Sequence, residues 1–234
     1  MILKKWQDLP KELQTEAVRP YYDRLARKKG SLLMKRLFDI VFSAVLLILL
    51  SPLFLLLAVA IRIDSPGPVF YRQVRVTQYN RPFRIFKFRS MVQNADRIGS
   101  QVTVNQDARI TRMGHLIRRC RLDEISQLID VFRGTMTFVG TRPEVPKYVA
   151  AYTEEMMAVL LLPAGVTSRT SIYYKDEAQL LDAAEAPDRV YTEEVLPQKM
   201  KYNLESLRQF SLWQDVKVMV MTVLAILGKK YEEA

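Results

Sequence analysis

Apolar and basic stretches alternate along the chain, and the changing period of the apolar positions predicts its elements. The longest apolar run, Ile40 to Ile61 (IVFSAVLLILLSPLFLLLAVAI), holds 22 residues without a charge. As a helix it would extend roughly 33 Å, enough for a hydrocarbon core of about 30 Å. Ahead of it, residues 9–30 read as a charged helix interrupted at Pro20, lying on the surface or on a membrane. Behind it, residues 63–68 (IDSPGP) read as a loop, and VFYRQVRV (69–76) and FRIFKFR (83–89) as two short strands joined through Asn80, Arg81 and Pro82. A strand's period of two puts Phe83, Ile85, Lys87 and Arg89 on one face, with Arg84, Phe86 and Phe88 on the other.

Helical spacing returns over 111–121, with Leu116, Ile117 and Cys120 on one side. It resumes from about Asp123, where Ile125, Leu128, Ile129 and Phe132 recur until Gly134 stops the helix. Leu212 to Leu227 forms a last apolar helix, with Trp213 near its start. Its unbroken apolar stretches are too short to cross a bilayer, which leaves core packing and an interfacial seat both open.

Charge changes the reading of the long run. Lys35 and Arg36 precede it, and residues 62–121 carry 13 Lys/Arg against 3 Asp/Glu. Cations beside an apolar segment favour the cytoplasmic side of a membrane, and here both flanks ask for the same side. Near the middle of the run stand Ser51 and Pro52. Proline lacks the backbone donor a helix needs and its ring crowds the preceding turn, while a serine there can bond a carbonyl one turn back. A helix that enters the bilayer, breaks and returns satisfies both flanks; a kinked straight span and a buried soluble helix are the alternatives.

The whole chain carries 35 Lys+Arg and 25 Asp+Glu, a formal charge of +10, with an isoelectric point near 9.7. That calls for an anionic partner: nucleic acid, an acidic lipid surface or a phosphorylated small molecule. The basic charge lies upstream, since residues 176–205 carry 8 Asp/Glu against 3 Lys/Arg. With one cysteine, Cys120, and one histidine, His115, the chain can form neither an internal disulfide nor a zinc site of the usual kind. A Cys–His catalytic pair is conceivable, although the apolar stripe around Cys120 speaks against it. No usual signal peptide, repeat or low-complexity tract is visible.

Chemistry concentrates at Asp123 and Glu124, which follow a cluster of arginines at an expected helix start. Acidic residues in a first turn commonly only complement the helix end, by a few tenths to about 1 kcal/mol. Their company gives them more weight. Lys87, Arg89, Arg118 and Arg142 are cations able to converge on a diphosphate, and a carboxylate beside a phosphate calls for a bridging divalent cation. Less specific readings compete: Arg142 as a surface ion pair, Lys87 and Arg89 facing phospholipid headgroups, Arg119 and Arg121 solvated. Gln127 and Asp130 are expected on the polar side of the second helix.

These residues fall in KRLFDIVFSAVLLILLSP (35–52), DSPGPVFYRQ (64–73), FKFRSM (86–91), DARITRMGHLIR (107–118), RLDEISQL (121–128) and FVGTRPE (138–144). In this order the six pieces resemble the bacterial sugar transferase family, the monotopic polyprenyl-phosphate phosphoglycosyl transferases in their compact form. The resemblance implies a helix-rich α/β fold: a charged helical segment (1–33), a re-entrant membrane helix (34–62), a catalytic domain (63–205) on the cytoplasmic face of the bacterial inner membrane, and a C-terminal apolar helix (206–234). It also implies a two-step reaction requiring Mg²⁺, with Asp123 and Glu124 as the metal site. Asp123 attacks the β-phosphorus of a UDP-sugar, UMP leaves, and polyprenyl (undecaprenyl) phosphate then takes the sugar-1-phosphate from the carboxylate. Glu124 assists with metal or proton handling, and Lys87, Arg89, Arg118 and Arg142 bind phosphate. The implied partners are thus the UDP-sugar, polyprenyl phosphate and membrane phospholipid, without nucleic acid, and homo-oligomer formation stays open.

The chain departs from the family's pattern in three places. YRQVRVTQ (71–78) lacks a usual glycine, and Thr141 stands where proline is common. LPAGVTSRTSIYYKDEAQLL (162–181) replaces a stretch that carries a phosphate-binding arginine in relatives, with Arg169 or Lys175 as substitutes. Two other functions compete: a membrane-tethered nucleic-acid binder, for which no motif is evident, and a glycosyl transferase that would release UDP rather than UMP.

Overall fold

The computed structural model describes residues 3–95, 107–173, 187–229 and 231. The N-terminal segment is part of the core. Two single 3₁₀ turns lead into helix α1 (Arg19–Ala26), and Pro20 starts this helix instead of interrupting it. A proline is tolerated in a first turn because the N–H it lacks has no intrahelical acceptor there. Leu13, Val18, Tyr21, Tyr22 and Leu25 are buried against Leu161, Leu196 and Met200, so one face of this segment joins the core while Glu12, Glu16, Arg19 and Arg24 stay exposed.

The apolar run forms two helices, α2 (Lys29–Leu49) and α3 (Ser51–Asp64), bent by 61°. Neither alone is long and apolar enough to cross a membrane. The break falls at Ser51 and Pro52, where the Ser51 hydroxyl donates to the Ile48 carbonyl at 2.8 Å. Outward faces of both helices are apolar and exposed, as at Val41, Val45, Ile48, Leu49, Leu55 and Leu56. The inner face of α3 is not: Leu57 and Ile61 pack on Phe88 and Ile117.

The expected hairpin exists but is interrupted. Strand β1 (Phe70–Tyr71) pairs antiparallel with β4 (Lys87–Phe88), and β2 (Val74–Thr77) with β3 (Arg81–Arg84). Between the ladders Phe86 donates its N–H to the Asp130 carboxylate at 2.8 Å. Helix α4 (Arg112–Arg119) is capped by Thr111, whose hydroxyl accepts from the Gly114 N–H. Of its expected apolar stripe only Ile117 is buried; Leu116 and Cys120 are exposed. Asp123 and Glu124 lie in the turn before a 3₁₀ segment (Ile125–Gln127) and helix α5 (Leu128–Arg133), not in a helix. Gly134 ends α5 at φ 83°, as its residue type predicts. Gln127 and Asp130, expected on a polar face, are buried.

Strand β5 (Met136–Val139) pairs in parallel with β6 (Ala164–Thr167). Gly140 and Gly165 bring the ends of the two strands together, since a Cβ on Gly165 would stand 2.2 Å from the Gly140 backbone. Short helices α6 (Pro146–Val149), α7 (Arg169–Tyr173) and α8 (Pro187–Val190) follow, then α9 (Leu196–Arg208) and α10 (Leu212–Ile226). One face of helix α10 packs on the core. Val218 is buried with Val139 and Ile172, whereas Trp213, Val220, Val223 and Ile226 are exposed. The architecture is helix-rich with three small sheets among the described residues, compatible with an α/β domain.

Candidate active site

Three packed layers fix the turn that carries Asp123. Phe88 is sealed between α3 and α4, with its ring 5.2 Å from that of Phe54. Its N–H donates to the Asp123 carbonyl at 3.0 Å. The acidic turn is therefore tied by backbone to β4, and β4 by packing to the second half of the broken helix. Arg121, with φ 56°, reverses the chain between α4 and this turn.

Lys87, next to Phe88, points the other way and reaches Glu124 at 3.1 Å. Arg142 arrives from the loop after β5. Its Nη2 lies 2.5 Å from Glu124 Oε1 and its Nη1 3.1 Å from Oε2, a bidentate pairing, and Nη1 also donates to the Val166 carbonyl at 3.1 Å. Both oxygens of Glu124 thus hold cations. Burial alone would raise the Glu124 carboxyl, but Arg142 and Lys87 outweigh it and keep it well below the usual carboxylate range. Glu124 in turn raises Arg142.

Asp123 differs in environment. Among the described residues no cation pairs with its carboxylate. Burial pushes it upward and the charge of Glu124 adds to this, while Lys87 and Arg118 pull it down. Arg118, half-exposed at the end of α4, therefore acts on Asp123 through space. Arg119 and Arg121 are exposed.

Arg89 lies elsewhere. Its guanidinium is buried and donates to the carbonyls of Pro66 at 2.8 Å and Ser65 at 2.6 Å, which close the C-terminal end of α3. Lys87 and Arg89, expected on one strand face, therefore do not converge on one partner: Lys87 reaches Glu124 and Arg89 reaches Ser65 and Pro66. Arg89 holds the loop after the broken helix and is not gathered around Glu124. Arg169 contacts Gln209, the residue just after α9, at 3.4 Å, and Lys175 lies outside the described residues.

Two groups of supporting residues went unassigned in the sequence. Arg75 donates to the Pro143 carbonyl at 3.0 Å, and Glu144 accepts from the Tyr191 hydroxyl at 2.5 Å, with Lys199 3.6 Å away. Together they fix the turn that carries Arg142; the only available signal was the position of Glu144 two residues beyond it. On α2, Lys35 donates to the Val139 carbonyl at 2.9 Å and to Asp215 of α10 at 2.6 Å. Asp39 accepts from the Thr137 hydroxyl at 2.8 Å and the Phe138 N–H at 3.2 Å. The spacing of four between Lys35 and Asp39, one turn of helix, hinted at a shared polar face.

A carboxylate with no paired cation among the described residues, adjoining a carboxylate held by two cations, makes a site suited to phosphoryl chemistry beside an apolar broken helix. The chain belongs to the bacterial sugar transferase family, whose model matches residues 30–229. It is 35% identical over 197 residues to a UDP-N-acetylgalactosamine-undecaprenyl-phosphate N-acetylgalactosaminephosphotransferase of Aeromonas hydrophila, which covers 83% of this chain and 44% of that protein. It is 33% identical over 217 residues to a UDP-glucose:undecaprenyl-phosphate glucose-1-phosphate transferase of Escherichia coli (strain K12), covering 91% of this chain and 44% of that one. A protein of the same name from Caulobacter vibrioides is 34% identical over 200 residues, covering 83% of this chain and 70% of its own. The chain thus spans less than half the length of the first two relatives.

Proposed function

We propose that this chain transfers a sugar-1-phosphate from a UDP-sugar to undecaprenyl phosphate, as the names of its relatives describe for them, with Asp123 as nucleophile. An oxygen of the Asp123 carboxylate attacks the β-phosphorus, the bond from that phosphorus to the bridging oxygen breaks, and UMP departs with the electron pair. An oxygen of undecaprenyl phosphate then attacks the phosphosugar ester, a diphosphate forms and the carboxylate is restored. Splitting one displacement into two suits a carboxylate nucleophile. The observation that carries this reading is the contrast between the two acidic neighbours: Glu124 is locked by Lys87 and Arg142, whereas Asp123 is left with no paired cation among the described residues.

The residues fit Mg²⁺. Asp123 offers hard oxygen ligands, and among the described residues no cluster of three or more His, Cys, Asp or Glu exists. That donor set matches an ion held by one or two carboxylates and completed by phosphate oxygens and water. Glu124 would join it only by releasing its cations. When bound, the ion supplies charge neutralisation between carboxylate and phosphate. Arg118 is placed to steady charge on the transferred group, and Lys87 and Arg142 to hold the diphosphate.

The bent pair α2–α3 and its exposed apolar faces support a re-entrant seat in the cytoplasmic leaflet of the inner membrane, where the phospholipid also delivers the prenyl acceptor. A panel of UDP-sugars labelled at the β-phosphate tests the reaction. Wild type should release unlabelled UMP and retain label on the protein, and Asp123→Asn should do neither while keeping its melting transition. UDP as the released nucleotide, or an active enzyme that never carries label, would overturn the covalent reading.

A further inference from the structure

Lys87 and Arg142 are the cations best placed for a diphosphate, yet both are committed to Glu124. One carboxylate holds three charged donors, at 2.5 to 3.1 Å, and its side chain is only 17% exposed. A diphosphate arriving beside Asp123 must compete with Glu124 for these donors. Drawing them away would leave Glu124 as a partly buried carboxylate with no counter-charge, next to Asp123 and to the incoming phosphates. A divalent cation approaching alone meets the opposite obstacle, because Glu124 is already neutralised by an ammonium and a guanidinium. Each ligand removes the obstacle to the other.

The geometry points to an ion-pair exchange at Glu124: Lys87 and Arg142 pass from Glu124 to the diphosphate as a divalent cation takes their place on the carboxylate. Glu124 therefore withholds the phosphate-binding cations until metal is present. By linkage, nucleoside diphosphate and metal raise each other's affinity by the same factor. The inference rests on the reading given under Proposed function, and it adds the order and coupling of ligand binding at that site. A purely structural ion pair makes the opposite prediction, since loss of Glu124 would then loosen Lys87 and Arg142 and weaken phosphate binding under all conditions.

The test is equilibrium binding of UDP to the full chain in detergent, by calorimetry, in EDTA and in Mg²⁺. In EDTA, Glu124→Gln should bind UDP roughly tenfold or more tightly than wild type, because its cations are released. In Mg²⁺ that advantage should vanish. A Gln variant that melts like wild type but binds UDP in EDTA no more tightly overturns the exchange. Should that variant fail to fold, wild type decides the matter by Mg²⁺ titration. Saturating UDP must raise Mg²⁺ affinity at least about tenfold beyond the association of Mg²⁺ with UDP alone, and a smaller gain overturns the exchange. Wild type that binds no UDP at any Mg²⁺ concentration would instead overturn the Proposed function itself.

Discussion

Replacing Lys35 with methionine tests how the broken helix is fastened to the site. The Lys35 side chain is 4% exposed, and it joins α2 to β5 through the Val139 carbonyl and to α10 through Asp215. Methionine fills similar space but removes the charge and both donations. Breaking a sealed ion pair from one side costs about 3–5 kcal/mol, because the surviving charge is stranded. Asp215 keeps 16% of its side-chain exposure, and burial already pushes its carboxyl upward, so partial hydration and protonation lower the cost. Allowing for one orphaned carbonyl as well, Lys35→Met should lose about 2–3 kcal/mol.

For a chain of this size, that loss corresponds to a fall in Tm of roughly 5–10 °C, measured by scanning calorimetry or intrinsic fluorescence in detergent. The paired variant Lys35→Met/Asp215→Leu removes the stranded charge and should recover most of the loss, since well-packed apolar groups often equal a buried pair. Turnover should fall in the single variant as well, because Val139 ends the strand that positions Arg142. A single variant melting within about 2 °C of wild type, or a double variant melting as low as the single, would refute the reasoning.

Two further outcomes follow from the site and the sheet. The acid limb of kcat/KM should fall above the ordinary aspartate value of 3.8, because burial raises Asp123 and only its ionised form attacks. Activity is then lost as pH falls through that raised value. Lys87→Met should move the limb higher still, since Lys87 is the strongest charge holding Asp123 down; a limb that stays put or moves lower would break the assignment. Gly165→Ala should destabilise by about 3 kcal/mol or prevent folding, because its Cβ would meet backbone and not a yielding side chain. A denaturation midpoint like that of wild type would show that the β5–β6 ends can separate freely.

Features fixed by local covalent geometry were legible in the sequence. Pro52 lacks a backbone donor wherever the chain goes, so the helix breaks there, and Ser51 bonds back as its hydroxyl allows. Gly134 accepts a left-handed conformation that ends a helix, whereas the turn between β2 and β3 falls at Gln78–Asn80, with Arg81 and Pro82, expected in it, already paired in β3. The clustering of Asp123, Glu124, Lys87 and Arg142 was legible as chemistry, through residue types and their order along the chain.

Which cation meets which anion was not legible, because that depends on contacts distant in sequence. Glu124 is paired from a strand 37 residues before it and from a loop 18 residues after it. Lys87 and Arg89 end on different partners, Lys87 on Glu124 and Arg89 on the carbonyls of Pro66 and Ser65, 23 and 24 residues before it. Lys35 reads locally as a flanking charge, and only the approach of Asp215 turns it into a buried clamp. Backbone conformation is determined mainly by each residue and its neighbours along the chain. The partner of a charged side chain depends on which segments the folded core brings within a few ångströms, and the burial of the apolar positions of α1, α3 and β5 decides this only after the whole chain has packed.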